Sequence, residues 1–217
     1  MYLIHNKQID YQSNCIVIDE APFNASICCN YGRSKIGQLV HIKAKTRRAP
    51  TITLLAAICN DGLVEATLRT TSKKDTEKEG KEKIKQTKGT NSHDFLAFLH
   101  LVMDRLDQQG RTGCYLIFDN ALIHISQWIT EAVEERNYHV VMLPRYSPFL
   151  NPIEEFFLKV KTLCKNAPIR EIEDKENEKT ETEKRQEELE SRIAEAMAKV
   201  IPSDYRGWIR HAISFFP

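Results

Sequence analysis

Residues 114–144 read CYLIFDNALIHISQWITEAVEERNYHVVMLP. An apolar run, CYLIFDN (114–120), ends at an acid, Asp119. A helix is expected over about 126–136, and a second apolar run, HVVMLP (139–144), follows it. Strand, helix, strand at this spacing is a crossover unit, the connection that parallel neighbours in a sheet require. Upstream, Ser92 can cap a helix through about 109, with Phe95, Leu96, Phe98, Leu99, Val102, Met103 and Leu106 on one face. TITLLAAIC (51–59) and LVEATLR (63–69) flank the turn signal Asn60-Asp61-Gly62 and predict a hairpin. LVHIKAK (39–45) alternates like a strand, and CIVID (15–19) reads as a buried strand ending at Asp19 and Glu20. Between these two strands, residues 21–37 read as a loop or hairpin, because Pro22, Asn24, Asn30, Gly32 and Gly37 punctuate them. Downstream, PRYSPFLNP (144–152) is a loop, and a helix opens near Pro152 with Glu154 and Glu155 in its first turn. Two more helices are expected near 185–199 and 203–215, broken at Pro202 and Ser203. This order predicts an α/β fold with a mixed sheet covered on both faces.

The chain has 217 residues, 41% of them hydrophobic, enough for one core in one domain. Its formal net charge is +1, so any contact with nucleic acid must come from local patches rather than bulk charge. The six cysteines (15, 28, 29, 59, 114 and 164) form no CxxC pair and match neither a zinc site nor a disulfide framework, which suits free thiols in a reducing compartment. The N-terminus lacks the charged-then-apolar order of a signal peptide, and no apolar stretch approaches the ~20 residues that span a bilayer. A soluble intracellular protein, neither membrane-bound nor secreted, is expected. Residues 70–89 and 171–187 are rich in Lys and Glu and nearly devoid of apolar side chains, so both read as solvated, mobile inserts.

Three acids stand out by position. Asp19 and Asp119 each end an apolar strand, and sites in open α/β sheets gather at such ends. Glu154 enters from the helix after the proline-rich loop. Three carboxylates brought together would repel one another, and divalent cations remove that penalty. Two ions about 4 Å apart can activate an attacking oxygen and stabilise a leaving one at phosphorus. An acid after a strand is also the ordinary start of a loop, so position alone leaves both readings open.

Three blocks carry a resemblance. IDEAPFN (18–24), YLIFDNALIH (115–124) and LPRYSPFLNPIEEFF (143–157) resemble the signature blocks of the DDE superfamily endonucleases, the mariner-type transposases and their bacterial insertion-sequence relatives. The 34 residues between Asp119 and Glu154 agree with the interval of one branch of that family. GTNSHDFLAFL (89–99) resembles the segment before the second aspartate, and YRGWIRHA (205–212) is a weaker echo. The resemblance implies one RNase H-like domain, a five-stranded mixed sheet flanked by helices. It implies a metal-binding catalytic triad of Asp19, Asp119 and Glu154 that holds Mg²⁺ or Mn²⁺, two ions in all. The implied activity is metal-dependent cleavage and strand transfer on double-stranded DNA, by a protein that works as a homodimer. Location would be the nucleus in a eukaryote and the cytoplasm otherwise.

Other residues stay open between two roles. His124 is either near the site and the DNA backbone or a hydrogen-bonded structural histidine. Lys43, Lys45, Arg47 and Arg48 form one basic cluster, Lys161 and Lys165 another beside Lys159; each can meet phosphates or simply face solvent. Glu20 and Glu155 are the neighbours that compete with Asp19 and Glu154; strand alternation sends Asp19 and Glu20 to opposite faces. Asn120 is expected to fix a turn, Asn151 and Pro152 to position the helix, Trp208 and His211 to pack. Two positions depart from the family pattern: Arg145 stands where a proline is usual and Phe149 where an acid is usual. The stretch before residue 14 is too short for the paired helix-turn-helix region of such transposases. A separate DNA-recognition domain or chain is therefore expected, with the sequence a fragment, half of a split gene or a domesticated module. Two competing functions remain: a non-catalytic RNase H-like DNA-binding or scaffold protein, and a structure-specific nuclease acting on RNA–DNA hybrids.

Overall fold

Strand β1 (Cys15–Asn24) lies at the centre of a five-stranded sheet with β4 (Tyr115–Phe118) on one side and β2 (Thr51–Cys59) on the other. β3 (Gly62–Thr70) and β5 (His139–Met142) form the two edges, giving the order β3-β2-β1-β4-β5. The computed structural model describes residues 9–24, 35–38, 51–70, 92–120, 127–167 and 180–216. The expected strand 39–45 lies outside them.

β1 pairs antiparallel with β2 and parallel with β4, and β4 pairs parallel with β5, so the sheet is mixed. The crossover expected at 114–144 is present: α2 (Gln127–Glu134) joins the parallel strands β4 and β5. β2 reads as a continuous apolar run because both of its faces are covered. Leu54, Ala56 and Ile58 join one core; Leu55, Ala57 and Cys59 join the other. Its hairpin to β3 closes through Asn60 and Asp61, with Gly62 at φ 149°, a value glycine adopts freely.

α1 (Ser92–Gln108) and α2 cover the face formed by Ile16, Ile18, Leu116 and Phe118. The α1 stripe is buried as expected at Phe95, Phe98, Leu99, Val102, Met103 and Leu106, with Leu96 partly buried. α3 (Ile153–Asn166), α4 (Glu181–Ala198) and α5 (Pro202–Ile213) cover the opposite face, on Val17, Phe23 and Ile117. Phe156 of α3 is the hub of that layer, with its ring against Phe157, Tyr205 and Trp208. No helix among the described residues is long and apolar enough to cross a membrane.

Two boundaries differ from the sequence reading. β1 runs on through Pro22 to Asn24 instead of turning at 21. Its pairing with β4 ends at Val17, so on that side Pro22 has no ladder bond to lose, which is where a strand tolerates proline. α4 begins at Glu181, inside the stretch read as a mobile insert of 171–187. There the side chains of Thr180 and Glu183 each accept the other's backbone N–H, a capping box that starts the helix without apolar help. The remainder of that stretch, 171–179, and residues 71–89 lie outside the described residues.

Burial pushes the Cys15 thiol up to about 12 and the Cys164 thiol up to about 11, so both pack as apolar groups rather than react. At the C-terminal end of α3, Arg192 Nη1 of α4 donates to the Cys164 carbonyl at 3.1 Å, and its charge is met by buried Glu188 at 2.9 Å.

Phe156→Ala removes a fully buried ring from the centre of the α3–α5 layer and is expected to cost about 3–5 kcal/mol. Phe156→Leu should cost under half of that. Urea denaturation measures both, and equal midpoints for Phe156→Ala and the unaltered protein contradict the packing described.

Candidate active site

Asp19 sits in the middle of β1 on the α3-facing side, between Val17 and Ala21 of the same core. It is only 7% exposed. A carboxylate so nearly sealed from water costs several kcal/mol unless hydrogen bonds replace the lost solvation. Two do so here. Oδ1 accepts the Glu20 backbone N–H at 2.7 Å, and Oδ2 accepts Asn151 Nδ2 at 2.9 Å. Glu20 faces the other side of the strand, as alternation requires, and its Oε2 is buried without a partner among the described residues.

Asp119 follows the last residue of β4. The parallel register ends at the pair Val17–Ile117; carried two residues further it sets Asp119 level with Asp19. Alternation then aims both side chains at the α3 face, because Phe118 points to the α1 side and Ile117 to the α3 side.

Glu154 arrives by a different route. After β5 the chain enters a loop anchored by buried Leu143, Leu150 and Ile153. Tyr146 holds φ 60°, a left-handed conformation that costs a non-glycine residue about 1–2 kcal/mol. A 3-10 turn at Pro148–Leu150 leads to Asn151, then Pro152 at helical angles, and α3 begins. Asn151 is 4% exposed, and its carbonyl accepts the Glu154 N–H at 3.2 Å. One residue thus ties Asp19 to the turn that sets Glu154.

Asp119, Asn120, Arg145, Tyr146, Asn151 and Glu154 line one open cavity of about 510 Å³, with Leu143, Pro144, Ser147 and Pro148 completing its wall. Asp119 and Glu154 therefore share a pocket. Asp19 is not on that wall; it stands behind Asn151. Among the described residues no three His, Cys, Asp or Glu side chains form a group that could hold a metal ion. The donors are still of one kind, carboxylate and amide oxygens, the hard set that Mg²⁺ and Mn²⁺ prefer. Asn151 Oδ1 is buried and has no partner among the described residues, one more oxygen of that set beside Asp19. By donor chemistry these residues fit a hard divalent cation, without being gathered into a ready-made cage.

Glu155 is committed elsewhere. Its carboxylate hydrogen-bonds His211 Nδ1 of α5, beside a small hollow of about 120 Å³ that Phe149 and Trp208 also line. His211 is thus more than the packing residue expected from sequence, and its contact separates Glu155 from Glu154. Trp208 does pack, against Phe156 and Tyr205. Lys159 is held by Asp204 at 2.6 Å, while Lys161 lies 5.5 Å above the Phe23 ring. Lys43, Lys45, Arg47, Arg48 and His124 lie outside the described residues.

With this geometry, two comparisons become informative. Residues 76–176 match the family model of the DDE superfamily endonucleases. That matched segment is a little under half of the chain. It contains Asp119 and Glu154 and the whole pocket wall. Solved structures of the Mos1 mariner transposase share the fold. A pre-cleavage Mos1 transpososome aligns at TM-score 0.68 and 15% identity over 98% of this chain. The Mos1 strand transfer complex aligns at 0.70 and 16% over 99%, and the isolated Mos1 catalytic domain at 0.61 and 14% over 98%. The chain spans 56% of the transposase chains in those two complexes and 83% of the isolated catalytic domain. No curated protein matches the sequence. The fold is RNase H-like, a mixed five-stranded sheet with flanking helices.

The Asp19–Asn151 bond makes a stability prediction. Asn151→Ala should cost about 2–3 kcal/mol, because it removes a hydrogen bond to a buried carboxylate. Asp19→Ala removes that charge, so the double variant should be no less stable than Asn151→Ala alone. A double-mutant cycle by urea denaturation is expected to give a coupling of about 1.5–3 kcal/mol. A coupling near zero would mean the bond does not hold the site.

Proposed function

We propose that this DDE-type chain is the catalytic domain of a DNA transposase, cutting and rejoining phosphodiester bonds with a divalent metal. The observation that carries the reading is the pocket in which Asp119 and Glu154 share a wall with Asn151, the residue bonded to Asp19. Asp19, Asp119 and Glu154 would hold Mg²⁺ or Mn²⁺, two ions by the resemblance. Bound there, such ions would supply activation of an attacking oxygen and stabilisation of the leaving one. Asn151 would orient Asp19 through its side-chain amide N–H, as hydrogen-bonded outer partners orient metal ligands generally. Glu155 stays out of the chemistry because α5 holds it. The pocket is open enough to admit a strand, and its loop is anchored on both sides by core residues.

Double-stranded DNA is the proposed substrate, reached in the nucleus of a eukaryote or the cytoplasm of a bacterium. Glu154, Leu158, Lys161 and Lys165 follow one another at helical spacing along α3. At 1.5 Å per residue, Lys161 lies about 10 Å and Lys165 about 16 Å from Glu154 along the axis. Two cations at this spacing would suit the backbone phosphates of a strand leaving the pocket. The other solved structures of this fold point the same way. Mos1 has been solved as a paired-end complex with its left transposon end, and its catalytic domain with Mn and with Mg. A homodimer and a separate end-recognition module are proposed on the same resemblance.

The test is strand nicking of a labelled linear duplex in Mn²⁺. The unaltered chain should nick, Asp119→Ala and Glu154→Ala should abolish nicking, and Asn151→Ala should lower it roughly 10–100-fold. Glu155→Gln should retain activity. Equal activity in Asp119→Ala and the unaltered protein sinks the assignment; binding without cleavage by the unaltered protein favours a scaffold.

A further inference from the structure

The pocket contains a cation that the acids do not use. Arg145 lines the same wall as Asp119 and Glu154, yet forms an ion pair with neither. Its guanidinium makes no hydrogen bond or ion pair with any described residue; only its carbonyl is engaged, by Ser147 Oγ at 3.4 Å. Other arginines are spoken for: Arg69 by Asp94, Arg105 by Glu65, Arg136 by Asp104 and Asp107, Arg192 by Glu188. A guanidinium lining the same pocket as two carboxylates without closing on either is poised for an anion in that pocket.

The backbone around it is stiff. Pro144 restricts one side, and Tyr146 is held at φ 60° on the other. Buried Leu143 and Leu150 clamp the loop at its ends. A non-glycine residue keeps a left-handed conformation only where the surroundings impose it, and such strain clusters at ligand clamps. Tyr146 is 96% exposed, so its own packing cannot be what maintains the turn. The turn instead presents residue 145 at the cavity.

We propose that Arg145 is a substrate-binding residue that clamps a backbone phosphate of the DNA strand entering the pocket. This rests on the nucleic-acid reading of the pocket given above. A guanidinium offers two parallel N–H donors to two phosphate oxygens, which fixes orientation as well as charge. Asp119 and Glu154 repel a polyanion, and a fixed cation on the same wall offsets part of that repulsion where the strand must sit. The position is also one at which the resembling motif carries proline, so the clamp is a property of this chain.

The experiment measures binding, so that it does not depend on cleavage. A fluorescein-labelled duplex is titrated with the full chain in Ca²⁺ across a NaCl series, and anisotropy gives Kd. Arg145→Ala should weaken binding about tenfold and lower the slope of log Kd against log salt by about 1, with an unchanged Tm. Arg145→Lys should restore most of the slope, because the charge returns, but not the full affinity, because the fork does not. An Arg145→Ala protein with the original Kd and slope overturns the proposal, as does an Arg145→Lys protein that behaves like Arg145→Ala. The nicking assay separates the two claims. If Arg145→Ala binds normally while Asp119→Ala abolishes nicking, the clamp falls and the enzyme stands. If the slope drops but the unaltered chain never nicks, the clamp stands and the enzyme falls.

Discussion

A carboxylate at the centre of a sheet is expensive, and the Asn151–Asp19 hydrogen bond offsets part of that cost while tying the strand to α3. It joins residues 132 positions apart, one in the middle strand and one at the mouth of α3. Without it, Asp19 would keep the Glu20 N–H but lose the hydrogen bond that ties it to the mouth of α3. With it, the entry angle of α3 is coupled to the strand that carries the first acid, and Glu154 is set relative to both. A core optimised only for stability would not place an acid here, so the burial itself points to use.

The rest of the molecule serves that coupling. Parallel pairing of β1 with β4 brings two strand ends to the same height. α1 and α2 fill one face so that the sheet is rigid from behind; α3, α4 and α5 fill the other and leave the pocket at its upper edge. α5 has a second task. By taking Glu155 through His211 it leaves Glu154 as the acid of that helical turn that faces the cavity. The loop from Leu143 to Asn151 then supplies Arg145, a charge opposite in sign to Asp119 and Glu154, on the same wall.

The layout was legible in the sequence where periodicity and chemistry coincide. The α1 stripe, the doubly buried β2 and the crossover from β4 to β5 all announced themselves through apolar spacing, because tertiary packing follows the same period. Boundaries were harder. Pro22 looked like a strand end because proline breaks a ladder, but at a position with no partner on one side it breaks nothing. α4 looked like a solvated insert until Glu181 because its first turn is held by a polar capping box, not by apolar contacts. Within the site, the acids were visible as strand and helix punctuation. What no spacing reveals is a contact across 132 residues, so Asn151 read as a helix-positioning residue and its bond to Asp19 stayed hidden. Arg145 read only as a departure from a motif, since an unpaired cation is recognisable only once its neighbours are known to be acids.

On the proposed reading, Asp19, Asp119 and Glu154 act as one set of ligands held in register by Asn151. Isothermal titration of Mn²⁺ into the full chain tests it without substrate. Saturable binding is predicted, lost in Asp119→Ala and Glu154→Ala and weakened roughly 10–100-fold in Asn151→Ala. Heats that are absent from the unaltered chain, or identical in all four proteins, would contradict it.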